Sequence, residues 1–265
     1  MRGFKTIKKQ PTQPQSQPQY EVADVLNKLG SKLEDLGLNS WQLRTLFALK
    51  KCRTSALGGH IDACDECGNI SISYNSCRNR HCPKCQGRNR EDWIQTRETE
   101  LLPVPYFHVV FTLPEVLNKT ALHEPKMLYD ILFESAWETL QTFGKNKNLQ
   151  MGMIAVLHTW GQNLSLHPHL HCIVPGGGVD ENGAWKNIKN DGKFLFPVKA
   201  LSKVFRAKFC EKLKANLKDK FNENQENEYE KIRQSLWEKP WVVYAKKPFG
   251  SPKSVVEYLG RYTHK

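Results

Sequence analysis

The sequence predicts an α+β protein in two parts: an N-terminal helical module pinned by metal, then a mostly antiparallel sheet flanked by helices. Three observations lead there. Six of the chain's eight cysteines fall between Cys52 and Cys85, including two Cys-x-x-Cys pairs, Cys64/Cys67 and Cys82/Cys85. Beyond Pro105, short β-branched and aromatic runs alternate with amphipathic helical stretches. Two of those runs, "GMIAVLHTW" and "LHPHLHCIV", are joined by the short turn "GQNL" and read as neighbouring strands.

Taken in order, residues 1–19 are basic and then rich in Pro and Gln, which predicts a disordered leader rather than a secretory signal. Residues 20–102 form the first expected domain. Apolar residues recur at helical spacing from Tyr20 to Leu36, and Asn39 with Gln42 forms a capping box for a second helix. A Cys/His-rich segment follows, then the polar helix "GRNREDWIQTRETELL". Pro103 and Pro105 break the pattern, so 103–265 is the second domain. It reads as strand "YFHVVFTL", helix "EPKMLYDILFESAWETLQTF", the two neighbouring strands, basic helix "ALSKVFRAKFCEKLKANL", helix "EYEKIRQSLW" and strand "PWVVYAKKPF". A last helix is capped by Ser251 with Pro252 as its first residue.

No apolar run approaches the ~20 residues of a membrane span, so a cytoplasmic setting is expected, where disulfides are rare. The cysteines are then a question of metal. The two pairs Cys64, Cys67, Cys82 and Cys85 suit one tetrahedral structural zinc. Cys52, His60, Cys77 and His81 have the number and type for a second. Lys and Arg outnumber Asp and Glu by 39 to 27, a formal charge of +12 that favours an anionic partner such as nucleic acid. Arg78, Arg80, Lys84, Arg88 and Arg90 surround the cysteine pairs, a pattern suited to DNA phosphates.

In "SLHPHLHCIVPGGG", His167, His169 and His171 alternate and would share one face of a strand. Neutral imidazoles are metal ligands, so two of them can chelate one ion. Leu170 anchors the opposite face, and Pro168 suits a strand start or edge. His169 and His171 are the principal candidates, with His167 a further one. Near the end, "YLGRY" places Tyr258 and Tyr262 four apart, on one side of a helix. Gly260 between them weakens the helix or admits DNA closely.

The order of "GGHIDACDECG", "SCRNRHCPKC", "HPHLHCIVPGGG" and "YLGRYTHK" resembles the two-tyrosine rolling-circle transposases of bacterial insertion sequences, members of the HUH endonuclease superfamily. The resemblance runs from about Leu46 to the end. It implies an HUH-type sheet in which His169 and His171 hold a catalytic divalent cation, usually Mg²⁺ or Mn²⁺. It implies Tyr258 and Tyr262 as nucleophiles that nick and rejoin single-stranded DNA at element ends through a 5′-phosphotyrosine. On the same helix Arg261, turned away from the tyrosines, is a candidate for a flanking DNA phosphate. The chain stops three residues after Tyr262, where the family continues. A C-terminally truncated domain is therefore expected, with His167 a candidate third ligand. The alternative is an inactive zinc-dependent DNA-binding protein. A zinc hydrolase is disfavoured, for it would need a base of the H-E-x-x-H kind and leaves the tyrosines unexplained.

Overall fold

A computed structural model describes residues 19–65, 67–161, 163, 165–188, 195–217, 232–246 and 251–260. The chain divides into two compact units, Met1–Arg88 and Asn89–Lys265. That division falls inside a helix, ahead of the Pro103–Pro105 break.

In the first unit, helix α1 spans Val22–Leu29. Glu21 and Asp24 cap it reciprocally, with the Glu21 N–H donating to Asp24 Oδ2 at 2.7 Å. The continuous helix read from Tyr20 to Leu36 is cut at Gly30, whose φ of 54° turns the chain into a 3-10 helix over Gly30–Leu36. Helix α2, Ser40–Lys51, starts with the expected box. Asn39 Oδ1 accepts from the Trp41 and Gln42 N–H groups, and Gln42 Oε1 accepts from the Asn39 N–H at 2.9 Å. Strands β1 (Gly59–Ala63) and β2 (Ile70–Tyr74) pair as a hairpin. The small core consists of Leu26, Leu33, Leu49, Cys52 and Cys82. So few apolar side chains stabilise little, which leaves room for a metal to carry the fold.

Helix α3, Pro83–Thr99, begins in the first unit and ends in the second. The second unit is built on an antiparallel sheet of four strands in the order β4-β5-β3-β8. These are β3 (Tyr106–Thr112), β4 (Ile154–Trp160), β5 (Leu166–Pro175) and β8 (Val243–Lys246). A small hairpin, β6 (Gly177–Val179) with β7 (Trp185–Asn187), extends from β5. Its glycines are needed for packing: a Cβ on Gly178 would sit 2.5 Å from the Gln150 carbonyl oxygen. The helices are α4 (Asn118–His123), α5 (Pro125–Lys145), α6 (Val198–Leu217), α7 (232–238) and α8 (Pro252–Gly260).

Alternation assigns each sheet face its role. Val109 and Phe111 of β3 and Leu170 and Cys172 of β5 face α5 and α6, where they bury against Leu128, Leu132, Phe205 and Phe209. Each such side chain contributes about 1.5–3 kcal/mol on burial. The opposite face carries Tyr106, Val156 and Ile173, packed with Ile94 of α3 and Val256 and Leu259 of α8. Gly260 packs closely on α3: a Cβ on it would meet Ile94. Pro168, expected at a start or edge, lies within β5, a central strand. A register shift in β4 between His158 and Trp160 falls opposite it, so its missing N–H coincides with an already interrupted ladder. Among the described residues no helix is long and apolar enough to cross a membrane.

Candidate functional site

Among the described residues, two groups of potential ligands converge, one in each unit: Cys52, Cys77, Cys82 and Cys85; and His158, His169 and His171.

The cysteine group differs from the grouping that local spacing favours. Cys82 and Cys85 at the start of α3 are joined by Cys52, at the end of α2, and Cys77, not by Cys64 and Cys67. The reason is the chain path. Arg53 and Arg78, each directly after a cysteine, take left-handed φ values of 56° and 51° and turn the chain sharply there. Cys64 and Cys67 lie exposed in the β1–β2 turn. The second set is split likewise: His60 is exposed near Asp62, and His81 is exposed against Trp41 and Arg80. The four clustered sulfurs fit zinc. Cys85 Sγ lies 3.6 Å from Cys52 Sγ and 3.7 Å from Cys77 Sγ. A zinc about 2.3 Å from each of four tetrahedral sulfurs would set them about 3.8 Å apart. The Cys77 N–H donates to Cys52 Sγ and the Asn79 N–H to Cys77 Sγ, both at 3.5 Å, an environment suited to thiolates. Burial pushes the Cys77 and Cys82 thiols up, whereas at Cys85 hydrogen bonds from the other three thiols outweigh burial and pull it down.

The histidine group is assembled by strand pairing. His169 and His171 share a face of β5, and His158 on β4 stands directly across from His169. The third member is thus His158; His167, the expected further candidate, is exposed and outside the group. His167 contributes its backbone instead, its carbonyl lying 2.6 Å from His169 Nδ1. A carbonyl only accepts, so His169 carries its proton on Nδ1 and keeps a lone pair on Nε2. Desolvation is the main force on these rings. Burial, then the neighbouring His158, His108 and His169, lowers His171 to about 3, and burial lowers His169. They are therefore neutral near pH 7, the form that binds a cation.

Two further groups sit on this face. His108 of β3 places Nε2 2.7 Å from His171 Nδ1. The Tyr258 ring of α8 lies 5.9 Å from that of His108 and 6.5 Å from that of His171, between centroids. Ser251 begins α8, its Oγ accepting from the Ser254 N–H at 3.2 Å, as its sequence predicts. Tyr262 and Arg261 lie outside the described residues. Of the basic set, Arg78, Arg80 and Arg88 are exposed, Arg90 is half-buried and Lys84 pairs with Glu21.

Known proteins resemble both parts of the chain. Residues 24–113 match a family described as "Transposase zinc-binding domain", and residues 152–265 one described as "Putative transposase". The curated "Putative transposase y4qJ" of Sinorhizobium fredii (strain NBRC 101917 / NGR234) is 43% identical over 258 residues, covering 92% of this chain and 65% of that protein. The "Transposase for insertion sequence element IS801" of Pseudomonas savastanoi pv. phaseolicola is 35% identical over 158 residues, covering 59% and 38%. The chain thus spans less than two thirds of the length of either relative. Likeness to a solved structure, the conjugative relaxase TrwC in complex with oriT DNA, is slight: 11% identity over 59% of this chain and 71% of that one, with a TM-score of 0.32. With both domain matches in the same order and 43% identity along nearly its whole length, the chain is similar to transposases, its first part to a transposase zinc-binding domain and its second to a putative transposase domain.

Proposed function

We propose that this chain nicks and rejoins single-stranded DNA in rolling-circle transposition, through a tyrosine that becomes covalently joined to a 5′ phosphate. The observation that carries the reading is the placement of Tyr258 beside His171, in a triad of histidines on one sheet face. His158, His169 and His171 would hold a divalent cation of the Mg²⁺ or Mn²⁺ kind, which as a Lewis acid would polarise the scissile phosphate. Tyr258 supplies the nucleophile. Its phenol loses a proton, its oxygen bonds to phosphorus, and the bond from phosphorus to the 3′ oxygen breaks; that oxygen takes up a proton and leaves as a 3′-hydroxyl. The ester conserves the bond energy, so a 3′-hydroxyl can reverse the step and seal the strand. Tyr262 would serve the second transfer. Arg78, Arg80 and Arg88 are exposed and suited to DNA phosphates at element ends; Arg90, Lys84 and Arg261 would add further phosphate contacts. Cys52, Cys77, Cys82 and Cys85 would hold structural zinc in a protein that works in the cytoplasm.

The test is incubation with labelled single-stranded DNA and Mn²⁺, followed by denaturing electrophoresis. A covalent adduct is expected that survives in Tyr258→Phe or Tyr262→Phe alone and vanishes in the double variant. An undiminished adduct in the double variant refutes the tyrosine mechanism. DNA retention in a gel shift without any adduct would instead favour a binding protein that has lost its chemistry.

A further inference from the structure

We infer that His108 is a positioning residue for the histidine site: it accepts a hydrogen bond from Nδ1–H of His171, so that the Nε2 lone pair of His171 is directed toward His158 and His169. This rests on the cation-binding reading of the triad.

The contact leaves two arrangements. His108 Nε2 and His171 Nδ1 are 2.7 Å apart, so one nitrogen donates and the other accepts. Both residues are buried, at 5% and 8% exposure, so water does not stand in for either partner. The rings are nearly parallel, 9° apart, which keeps the bond close to both ring planes. If His108 donates, His171 Nδ1 is consumed and its proton sits on Nε2; His171 then points an N–H at its neighbours and cannot ligate. If His171 donates, its Nε2 is basic and matches His169, whose tautomer the His167 carbonyl already sets. The second arrangement makes two adjacent residues of the triad equivalent toward one cation.

The strand layout explains why His108 can do this. Val110 of β3 pairs with His171, and His108 is two residues along on the same face, paired with Ile173. It therefore reaches His171 diagonally across the ladder. The same ring touches Tyr258 edge-on. One side chain thus contacts a candidate ligand and the candidate nucleophile.

The experiment uses the full chain with ¹⁵N-labelled histidine, free of divalent cation at the triad. Two-bond ¹H–¹⁵N correlations report which nitrogen of His171 is protonated. The wild type is expected to show Nδ1–H. In His108→Gln the side-chain oxygen can still accept, and Nδ1–H should persist. In His108→Leu it should be lost. Calorimetric titration with Mn²⁺ should show His108→Leu weakened by about 10–100-fold and His108→Gln close to wild type. Nε2–H on His171 in the wild type overturns the inference, and so does undiminished Mn²⁺ affinity in His108→Leu. If His108→Leu fails to fold, the wild-type tautomer and the Gln variant still decide. A wild type that binds no Mn²⁺ but shows His171 as Nδ1–H refutes the cation reading and leaves the hydrogen-bond assignment standing.

Discussion

Replacing Gly260 by Ala tests how α8, and with it Tyr258, is held against the sheet. A Cβ at position 260 would lie 2.5 Å from Ile94 Cδ1 and press on Cγ1 as well. Non-bonded carbons rest at about 3.5–4.0 Å, so Ile94 or α8 must shift by about 1 Å. Overpacking of this kind costs about 1–3 kcal/mol. Opposing it, Ala is favoured over Gly within a helix by about 1 kcal/mol. The clash wins, and Gly260→Ala should destabilise the protein by up to about 2 kcal/mol. The sign should reverse once Ile94 is cut back. In an Ile94→Ala background, itself costly by about 2–5 kcal/mol, the added methyl meets space and Gly260→Ala should be neutral or stabilising. Urea unfolding of the four proteins closes the cycle. Equal effects of Gly260→Ala in both backgrounds, or a stabilising effect in the wild type, would refute the packing argument. Since Tyr258 is two residues away, adduct formation by Gly260→Ala should fall more steeply than its folded fraction.

Other outcomes follow from the two clusters. Cys52→Ser should lower zinc content by metal analysis and loosen the first unit, whereas Cys64→Ser, at an exposed turn, should leave that zinc in place; equal losses would contradict the grouping. His158→Ala should abolish Mn²⁺ binding measured by calorimetry, while His167→Ala should retain it. Burial and neighbouring imidazoles lower His171 to about 3, and burial and Lys246 lower His108 to about 4, from the usual 6.5. The unfolded chain therefore binds more protons below pH 6.5, and this stability, present above it, is lost as pH falls toward those values. Each ring should contribute up to about 2 kcal/mol of loss between pH 7 and pH 5; urea midpoints that do not move would refute it.

Strongly periodic and capped elements were legible from residues alone. The Asn39–Gln42 box and the Ser251 cap were both foreseeable, because a cap is a contact between neighbours in the chain. Partners distant in sequence were harder. His158 sat inside a segment recognised only as a strand, and just its pairing with β5 puts it across from His169. Counting back along the hairpin could have suggested it, had the bulge beside Pro168 not shifted the count. Local Cys-x-x-Cys spacing favoured Cys64 and Cys67 for the same reason: short-range pattern says nothing about where the turns after Cys52 and Cys77 lead. His108 carried no motif at all, and its position on the site face emerges only from the register of β3 against β5.

The central strand β5 also constrains how this protein can change over generations. Its side chains interleave two incompatible jobs, imidazoles on one side and core residues such as Leu170 and Cys172 on the other. Beyond the bulge at Pro168, inserting or deleting a single residue within it would exchange the two sets, sending polar rings into the greasy interior and core side chains toward solvent. No graded version of that error exists. Lineages of this chain should accordingly tolerate length variation in their loops yet hold the spacing from His169 to Pro175 fixed, even in copies whose chemistry has decayed, because the same count that orders the histidines also builds the core.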